Sequence, residues 1–468
     1  MNTLSYRHGI LISTGSSFLG RALAVISGII LAKTLTPDLF GSFFGDQALV
    51  LLGAGFINLG IGQGYRQIVS RKPELRDSFL FPSLCLRIGA ALLYFTGLMV
   101  YLDYHGQWRV QTVLVILSTL IFNLMELFQI DLQITRCYTK VSMLILSKEL
   151  TTFLAALICW RAAAKYDSLV ISYFVFALLL AFIGWVIVRP AIASLRTFDY
   201  SSLVKTSIPF VAAIFAYAIT SFWGVTYIRG VLGDDQAGYY FVPFKAYQIA
   251  LVLGMSVSDV TLPLYHRLGQ SKDFAMFGEV FKRLTRSMWF LGGPIVAICC
   301  FMPEFLIRVI ANKDYMAAAP IFPWIGFGII FHLLAIPAGN ILESVDKQWY
   351  RVAVMAVATI LCMLSVTITV PRWGIVGAAW TLFAVDLWLV LGYWLVSRHF
   401  ARAVVSLRDL FVPCLVLAAL LLALSHCPVA VYLRVLLFCA LWFGYVMIVA
   451  DFKKEIVGFL KIFSNRGR

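Results

Sequence analysis

Four basic residues lie inside long apolar runs of this sequence, where a charge is costly. They are Arg21, Arg87, Lys148 and Lys245. A base near the centre of a bilayer costs about 2.5–3.5 kcal/mol on insertion scales, so such residues normally face a polar interior. Bases in such an interior bind anions, and arginine offers phosphate a bidentate contact with a permanent charge. The four residues are therefore candidates for a phosphate-binding site.

The polar residues near two of these bases support this interpretation. Thr14, Ser17 and Arg21 recur at steps of three and four residues, so they share one helix face. Ser83 precedes Arg87 by four residues and lies on the same face. A polar face on an otherwise apolar helix indicates that the helix borders a polar interior.

The other candidate bases stand in weaker contexts. Lys245 begins a polar stripe with Gln248 on its run. Lys148 lies next to Glu149 near the start of its run and can instead extend to the membrane interface. Arg66, in the segment GQGYR, is a fifth candidate. For every one of these bases, pairing with an acid inside the membrane is the alternative interpretation.

Three acids inside the runs are candidates for ion coupling. They are Glu126, Asp259 and Asp386. A buried carboxyl can take up a proton, and a carboxylate can bind H⁺ or Na⁺ from a gradient. Ion pairing with the bases explains these acids equally well. His332 is alone in its run and is expected to be structural. We expect no cofactor, no metal site and no catalytic residue.

The composition requires helices that cross a membrane. The chain has 468 residues, of which 61% are hydrophobic and 13% charged, and its mean hydropathy is +0.89. No soluble domain of this size hides so much apolar surface from water. We predict an all-α integral membrane protein with about fourteen spans. The apolar runs cover residues 9–31, 44–62, 79–102, 110–131, 143–164, 169–188, 208–230, 240–263, 285–310, 320–343, 350–371, 374–396, 408–425 and 430–450.

The lysines and arginines at and beyond the ends of the runs predict the orientation. With the N-terminus in the cytoplasm, cytoplasmic segments hold 25 of them and outer segments hold nine. This bias follows the positive-inside rule and predicts that both termini are cytoplasmic. The net charge of +15 is thus a topology signal that attracts anionic lipid headgroups, and we expect no nucleic-acid partner. Only a short segment precedes the first run, so we expect no cleaved signal peptide.

A short motif occurs twice at corresponding places. LTPDLFGSF (residues 35–43) lies between runs 1 and 2, and LGDDQAGYY (residues 232–240) lies between runs 7 and 8. An offset of six spans predicts two parallel six-helix lobes around a central cleft, followed by two extra helices. We therefore divide the chain into lobes at 1–195 and 196–400, with two further helices and a basic cytoplasmic tail at 401–468.

The same segments carry a family resemblance. LTPDLFGSFFGDQAL, followed by INLGIGQGYRQIVSRK, resembles the start of the oligosaccharide-unit flippases, the Wzx group of the multidrug/oligosaccharidyl-lipid/polysaccharide exporter superfamily. LGDDQAGYY, followed by VTLPLYHRLGQ, resembles the start of that family's second lobe, and WGIVGAAW (373–380) resembles its loop before span 12. The match covers most of residues 1–400 in order and spacing. Asn58 departs from it, because the family often has Asp there.

The resemblance implies a flippase. It would move undecaprenyl-diphosphate-linked oligosaccharide units from the cytoplasmic to the periplasmic leaflet of a bacterial inner membrane, for O antigen, lipopolysaccharide or similar surface polysaccharide. A polysaccharide polymerase and a chain-length regulator are the protein partners that this role implies. The alternatives are a multidrug exporter of the same superfamily and an integral-membrane polysaccharide polymerase. Short outer loops disfavour the enzyme, and four intramembrane bases disfavour an exporter of organic cations.

Overall fold

The chain is helical throughout its described part. The computed structural model describes residues 3–135, 137–189, 200–271, 274–345, 347–401 and 405–450. Within these ranges every regular element is a helix, which confirms the predicted all-α architecture. The lobe boundary predicted at residue 195 and the basic tail after residue 450 lie outside the described residues.

Nine helices of the described part are long and apolar enough to cross a membrane. The number becomes ten if the bent pair Pro37–Leu52 and Ala54–Ser70 is one span. The longest of the nine, Gln348–Phe400, contains two of the predicted runs. Its backbone leaves the helical region at Gly374, where the second of these runs begins. The total of fourteen spans stays a prediction.

The described chain divides into two compact units. The first unit comprises Met1–Val242 with Ile310–Tyr315, and the second comprises Pro243–Val309 with Met316–Arg468. This division follows packing, whereas the predicted lobe boundaries at 195 and 400 follow the sequence repeat and stay a prediction. Helix α10 packs on helices of the first unit, which is why the packing boundary lies further along the chain.

The first unit is built from ten helices and the start of an eleventh. They are α1 (Thr3–Thr34), α2 (Pro37–Leu52), α3 (Ala54–Asn58), α4 (Ile61–Arg71), α5 (Arg76–Tyr104), α6 (Val110–Leu124), α7 (Glu126–Ile134), α8 (Tyr138–Arg161), α9 (Lys165–Val188), α10 (Tyr200–Leu232) and α11 (Asp234–Ser271), with a 3₁₀ turn at Pro73–Leu75. Helix α1 packs on α8, α8 and α6 pack on α9, and α10 packs on α2, α3 and α4. Apolar side chains of α2, α3, α5 and α6 form a buried cluster around Val50 and Ile116.

The second unit continues from α11. It contains α12 (Phe274–Phe301), α13 (Pro303–Ile310), a 3₁₀ helix (Lys313–Ile321), α14 (Phe322–Ser344), α15 (Gln348–Phe400), α16 (Arg408–Ser425) and α17 (Val431–Ala450). Helix α14 packs on α12 and α15. The two extra helices predicted after residue 400 are α16 and α17, and both pack on α12. Trp442 of α17 lies against Gly293 and donates a hydrogen bond to the Trp289 carbonyl at 3.1 Å.

Helix α15 is a hairpin of two arms. Gly374 has a φ of 58° and a ψ of −143°, a combination that glycine adopts without a Cβ clash. The arms then run back along each other, because Trp388 Nε1 donates to the Val354 carbonyl at 3.1 Å and Thr369 Oγ1 donates to the Gly377 carbonyl at 3.0 Å. The reversal lies inside the WGIVGAAW segment, between predicted runs 11 and 12.

The two copies of the repeated motif contact each other through their glycines. A Cβ atom on Gly41 would overlap the Asp234 carbonyl oxygen, and one on Gly238 would overlap the Pro37 carbonyl oxygen. Gly41 and Gly238 hold the same place in their motifs, and so do Pro37 and Asp234. The contact is therefore reciprocal, and the helices α2 and α11 meet backbone to backbone at their first turns.

An ion-pair network reinforces this contact. Arg229, near the end of α10, donates through Nη1 to Asp46 Oδ1 at 2.6 Å and through Nε to Asp234 Oδ1 at 2.6 Å. Asp46 and Arg229 are both buried, so the Asp46 carboxylate depends on Arg229 for its charged partner. Arg229 is one of the nine basic residues that the positive-inside analysis assigned to outer segments. The structure places it in a helix, where its side chain lies against Gly45.

We predict that a methyl group at the reciprocal contact destabilises the protein. Gly41→Ala and Gly238→Ala each force the helices apart, at a cost of about 1–3 kcal/mol or more. Gly230→Ala is the matched control, because a Cβ atom there meets nothing within 4 Å. Thermal unfolding of the purified protein in detergent should rank both variants below the wild type and leave the control unchanged. Equal unfolding temperatures for all four proteins would disprove the close contact.

Candidate functional site

Arg87 lies where two broken helices of the first unit meet. One break separates α3 from α4 at Leu59 and Gly60, whose φ angles of 44° and 66° are left-handed. The other is a milder interruption between α6 and α7 at Met125, whose φ of −61° and ψ of −19° remain helical. Helix breaks free backbone groups that a continuous helix would pair internally. Such breaks mark binding sites in many membrane transporters.

The acceptors around Arg87 come from these two breaks. Its Nη2 donates to Asn58 Oδ1, on the last residue of α3. The same nitrogen contacts the Asn123 carbonyl at 2.7 Å and Asn123 Oδ1 at 3.2 Å, in the last turn of α6. Carbonyls in the last turn of a helix lack intrahelical donors and carry a partial negative charge. The guanidinium is thus held mainly by neutral groups.

Arg87 is fully enclosed but incompletely paired. Only 1% of its side chain is exposed. Its Nε and the Ser83 hydroxyl have no hydrogen-bond partner among the described residues. A guanidinium carries five N–H donors, and a buried donor without an acceptor is costly. The site therefore retains a capacity to donate hydrogen bonds.

The counter-charge at Arg87 is weak. Glu126 Oε2 lies 3.5 Å from Arg87 Nη2, and its side chain is 49% exposed. This distance is at the long end for a charged hydrogen bond. Asn58, where the resembling family often has Asp, brings an acceptor without a charge. The local charge around Arg87 thus stays positive.

A second cluster holds the same helices together. Arg76, at the start of α5, donates to both carboxylate oxygens of Asp131 in α7, at 2.8 Å and 2.7 Å. Tyr65 of α4 donates to Asp131 Oδ1 at 2.6 Å. Asp131 and Tyr65 are completely buried. Helices α4, α5 and α7 also carry Arg66, Arg87 and Glu126, so this cluster fixes their relative positions.

Arg66 joins the Arg87 group through Glu126. Its Nη2 donates to Gln133 Oε1 at 2.7 Å, and it interacts electrostatically with Glu126. Two of the predicted bases and one predicted acid therefore form one electrostatic group. Arg87 therefore fits both interpretations of the sequence. An acid lies nearby, as ion pairing predicts, and the Arg87 Nε has no partner in the described part of the chain, which leaves a donor for a bound anion.

The other predicted residues lie on other helices. Arg21 and Lys148 are half-buried on α1 and α8, which pack together with Gly20 against Glu149. Lys245 is half-buried on α11, in its second-unit part. Their roles stay predictions. The side chain of Asp259, on α11, lies outside the described part of the structure.

Asp386 belongs to a separate polar cluster in the second unit. Tyr247 donates to Asp386 Oδ2 at 2.8 Å, and His332 Nδ1 lies 2.7 Å from Asp386 Oδ1. His332, which is alone in its sequence run, is therefore directly bound to the predicted acid.

The sequence analysis overlooked several buried charges. They are Asp46, Asp131 and Arg229, together with Arg76, the half-buried partner of Asp131. An available signal was that Asp46 and Asp131 also lie inside apolar runs.

These features define a multi-pass helical membrane protein with broken helices around a buried base. A family model described as "Polysaccharide biosynthesis protein" matches residues 30–320. The chain therefore belongs to the polysaccharide biosynthesis protein family.

Solved structures share the fold at low sequence identity. A chain described as "Lipid II flippase MurJ, inward closed conformation" aligns at a TM-score of 0.73 and 13% identity, over 96% of this chain and 100% of that one. An inward-facing multidrug resistance MATE family transporter of the MOP superfamily aligns at 0.64 and 12%, over 82% and 95%. A MOP superfamily transporter from Pyrococcus furiosus aligns at 0.58 and 10%, over 85% and 95%. The chain has the fold of these transporters.

A sequence relative adds little about function. An uncharacterized membrane protein of Methanocaldococcus jannaschii is 20% identical over 175 residues, which is 37% of this chain. The alignment spans only 34% of that relative's length.

We predict that breaking the Asp131 cluster is far more costly than breaking a surface ion pair. Arg76→Met leaves the buried Asp131 charge without its bidentate partner, a loss of about 3–5 kcal/mol. Arg308→Met is the control, because Arg308 and Glu304 are both exposed and such pairs contribute at most about 1 kcal/mol. Thermal unfolding in detergent should separate the two variants clearly. Similar small shifts for both would mean that Asp131 does not depend on Arg76.

Proposed function

We propose that this protein is a flippase for lipid-linked oligosaccharides. Its substrate would be an undecaprenyl-diphosphate-linked repeat unit, moved from the cytoplasmic to the periplasmic leaflet for surface polysaccharide such as O antigen. The observation that carries this proposal is the buried, incompletely paired guanidinium of Arg87. The family and the fold shared with a lipid II flippase support it.

The chemistry of such a substrate suits the Arg87 site. A diphosphate carries at least two negative charges and several acceptor oxygens, and guanidinium is its preferred partner. Arg66, in the same electrostatic group, adds a second positive charge. Entry of the diphosphate would supply acceptors that Arg87 lacks and would displace Glu126, whose contact is long. The polyprenyl tail would stay in lipid.

The transport cycle forms part of the proposal. Alternating access would carry the substrate across without making or breaking a covalent bond, so the protein would not act as an enzyme. The protein would lie in a bacterial inner membrane with both termini in the cytoplasm. A polysaccharide polymerase would use the delivered units, and a chain-length regulator would act with it.

Multidrug export is the second candidate. The fold shared with MATE family transporters favours it, as does Glu126, a half-exposed acid that could bind an organic cation. The positive charge at Arg87 and Arg66 disfavours it, because cations are repelled by such a site. Drug susceptibility of a deletion strain separates this candidate from the flippase. A polysaccharide polymerase is the weakest candidate.

The direct test of the flippase is a gene deletion in the host. We predict that lipid-linked single repeat units accumulate in the inner membrane while surface polysaccharide falls. Mass spectrometry of the lipid fraction measures the first effect, and gel analysis of surface glycan measures the second. Complementation with the wild-type gene is the control. Unchanged pools in a strain that lacks a second flippase would contradict the proposal.

A single charge substitution tests the role of Arg87. We predict that Asn58→Asp leaves the protein folded but lowers flipping about 10- to 100-fold. The new carboxylate would neutralise the guanidinium, and a lost charge-assisted hydrogen bond costs roughly 1.5–3 kcal/mol. Asn312→Asp is the matched control, since Asn312 accepts a backbone hydrogen bond away from Arg87. Wild-type flipping by folded Asn58→Asp protein would refute a substrate role for Arg87.

A further inference from the structure

Three titratable side chains of the second unit form a closed triangle. Tyr247 of α11, His332 of α14 and Asp386 of the second arm of α15 meet there. The Tyr247 hydroxyl lies 2.8 Å from Asp386 Oδ2 and 2.9 Å from His332 Nδ1. His332 Nδ1 lies 2.7 Å from Asp386 Oδ1. Every pair in the triangle is therefore within hydrogen-bond distance.

The three side chains of the triangle differ in exposure, because Asp386 is buried and His332 is partly exposed. The Asp386 side chain is 2% exposed, whereas that of His332 is 30% exposed. Gly328, one turn before His332, lies beside the carboxylate, and a Cβ atom there would be 3.2 Å from Asp386 Oδ2. The carboxylate is therefore enclosed, and the imidazole is the most exposed of the three side chains.

The net charge of the triangle depends on how many protons its three side chains hold, and two charge states are possible. The Tyr247 hydroxyl provides the proton toward Asp386 Oδ2. The short contact between His332 and Asp386 needs one more proton, which either ring nitrogen or carboxyl can carry. With a further proton on the second imidazole nitrogen, the triangle is neutral overall. Without that proton it carries a net negative charge in a medium of low dielectric constant, which is unfavourable.

Among the described residues, the charges that act on Asp386 come mainly from within the triangle. On the first arm of α15, Cys362 is within electrostatic reach of Asp386, and a buried thiol is neutral. On α11, Lys245 lies two residues before Tyr247, a spacing that places it on a different helix face. The strongest electrostatic partner of Asp386 among the described residues is His332.

We propose that Tyr247, His332 and Asp386 form a proton-binding site whose occupancy drives the transport cycle. Because the three residues come from three helical segments, the charge of the site alters how α11, α14 and α15 pack. A proton gradient would thereby favour one arrangement of these segments over another. The transport consequence rests on the proposed flippase function, whereas proton binding itself does not.

The ligand is a proton rather than a metal cation. His332 Nδ1 lies 2.9 Å from the Tyr247 hydroxyl and 2.7 Å from Asp386 Oδ1, and this nitrogen does not suit a hard cation, which prefers oxygen ligands. In the part of the chain that the structure describes, no group of three or more His, Cys, Asp or Glu residues could hold a metal ion. Sodium dependence is therefore an outcome that would contradict the proposal.

The first experiment measures proton binding without any substrate. A double-mutant cycle of His332→Gln and Asp386→Asn, followed by thermal unfolding, gives the coupling between the two residues. We expect the coupling to be larger at about pH 5 than at about pH 8, because imidazole charges in this range and only the imidazolium forms an ion pair. His426→Gln, at an exposed position, is the matched control. Equal coupling at both pH values would overturn the proposal.

The second experiment measures flipping in proteoliposomes with an imposed pH gradient. We expect the gradient to accelerate wild-type and His426→Gln flipping several-fold, and to leave His332→Gln and Asp386→Asn at their basal rates. Gradient-stimulated flipping by both variants, or stimulation by sodium alone, would overturn the proposal. If wild-type protein flips no lipid-linked oligosaccharide while the pH-dependent coupling is present, the proposed substrate is wrong and the proton site stands.

A milder variant guards against misfolding. Tyr247→Phe removes one donor from Asp386 and keeps the contact with His332. We expect the unfolding temperature of this variant to depend more strongly on pH than that of the wild type, because Asp386 then relies on the imidazolium alone. A weaker pH dependence would contradict the proposal.

Discussion

A guanidinium buried among membrane helices needs acceptors, and regular helices offer none because their carbonyls are already paired. This constraint accounts for the breaks around Arg87. The left-handed residues Leu59 and Gly60 end one helical segment beside Asn58. Beside the interruption at Met125, the Asn123 carbonyl accepts from the same guanidinium. The irregular backbone of the first unit is thus located where the buried charge requires it.

The breaks would be weak points without the neighbouring ion pair. Asp131 ties α7 to α4 through Tyr65 and to α5 through Arg76. A carboxylate with three donors is well satisfied, whereas Arg87 remains short of acceptors. The first unit therefore combines a rigid polar cluster with an adjacent, incompletely paired base. Such an arrangement keeps a binding group in position at the expense of its own pairing.

Several features could be predicted from the sequence because they depend on local patterns. Apolar runs, the turn near Gly374 and the intramembrane positions of Arg87 and Glu126 are of this kind. The partners of buried charges are different, because contact depends on packing between distant segments. Asp46 and Arg229 are 183 residues apart, and His332 and Asp386 are 54 apart. No spacing rule connects such pairs, so the lone histidine gave no sign of its acid.

The reciprocal contact of the repeated motifs has a consequence for sequence divergence within the chain. Gly41 and Gly238 each leave space for the backbone of the other copy. A side chain gained in either copy displaces both helices, so neither position can drift alone. A shared steric requirement of this kind accounts for a glycine at the same place in both copies of the motif.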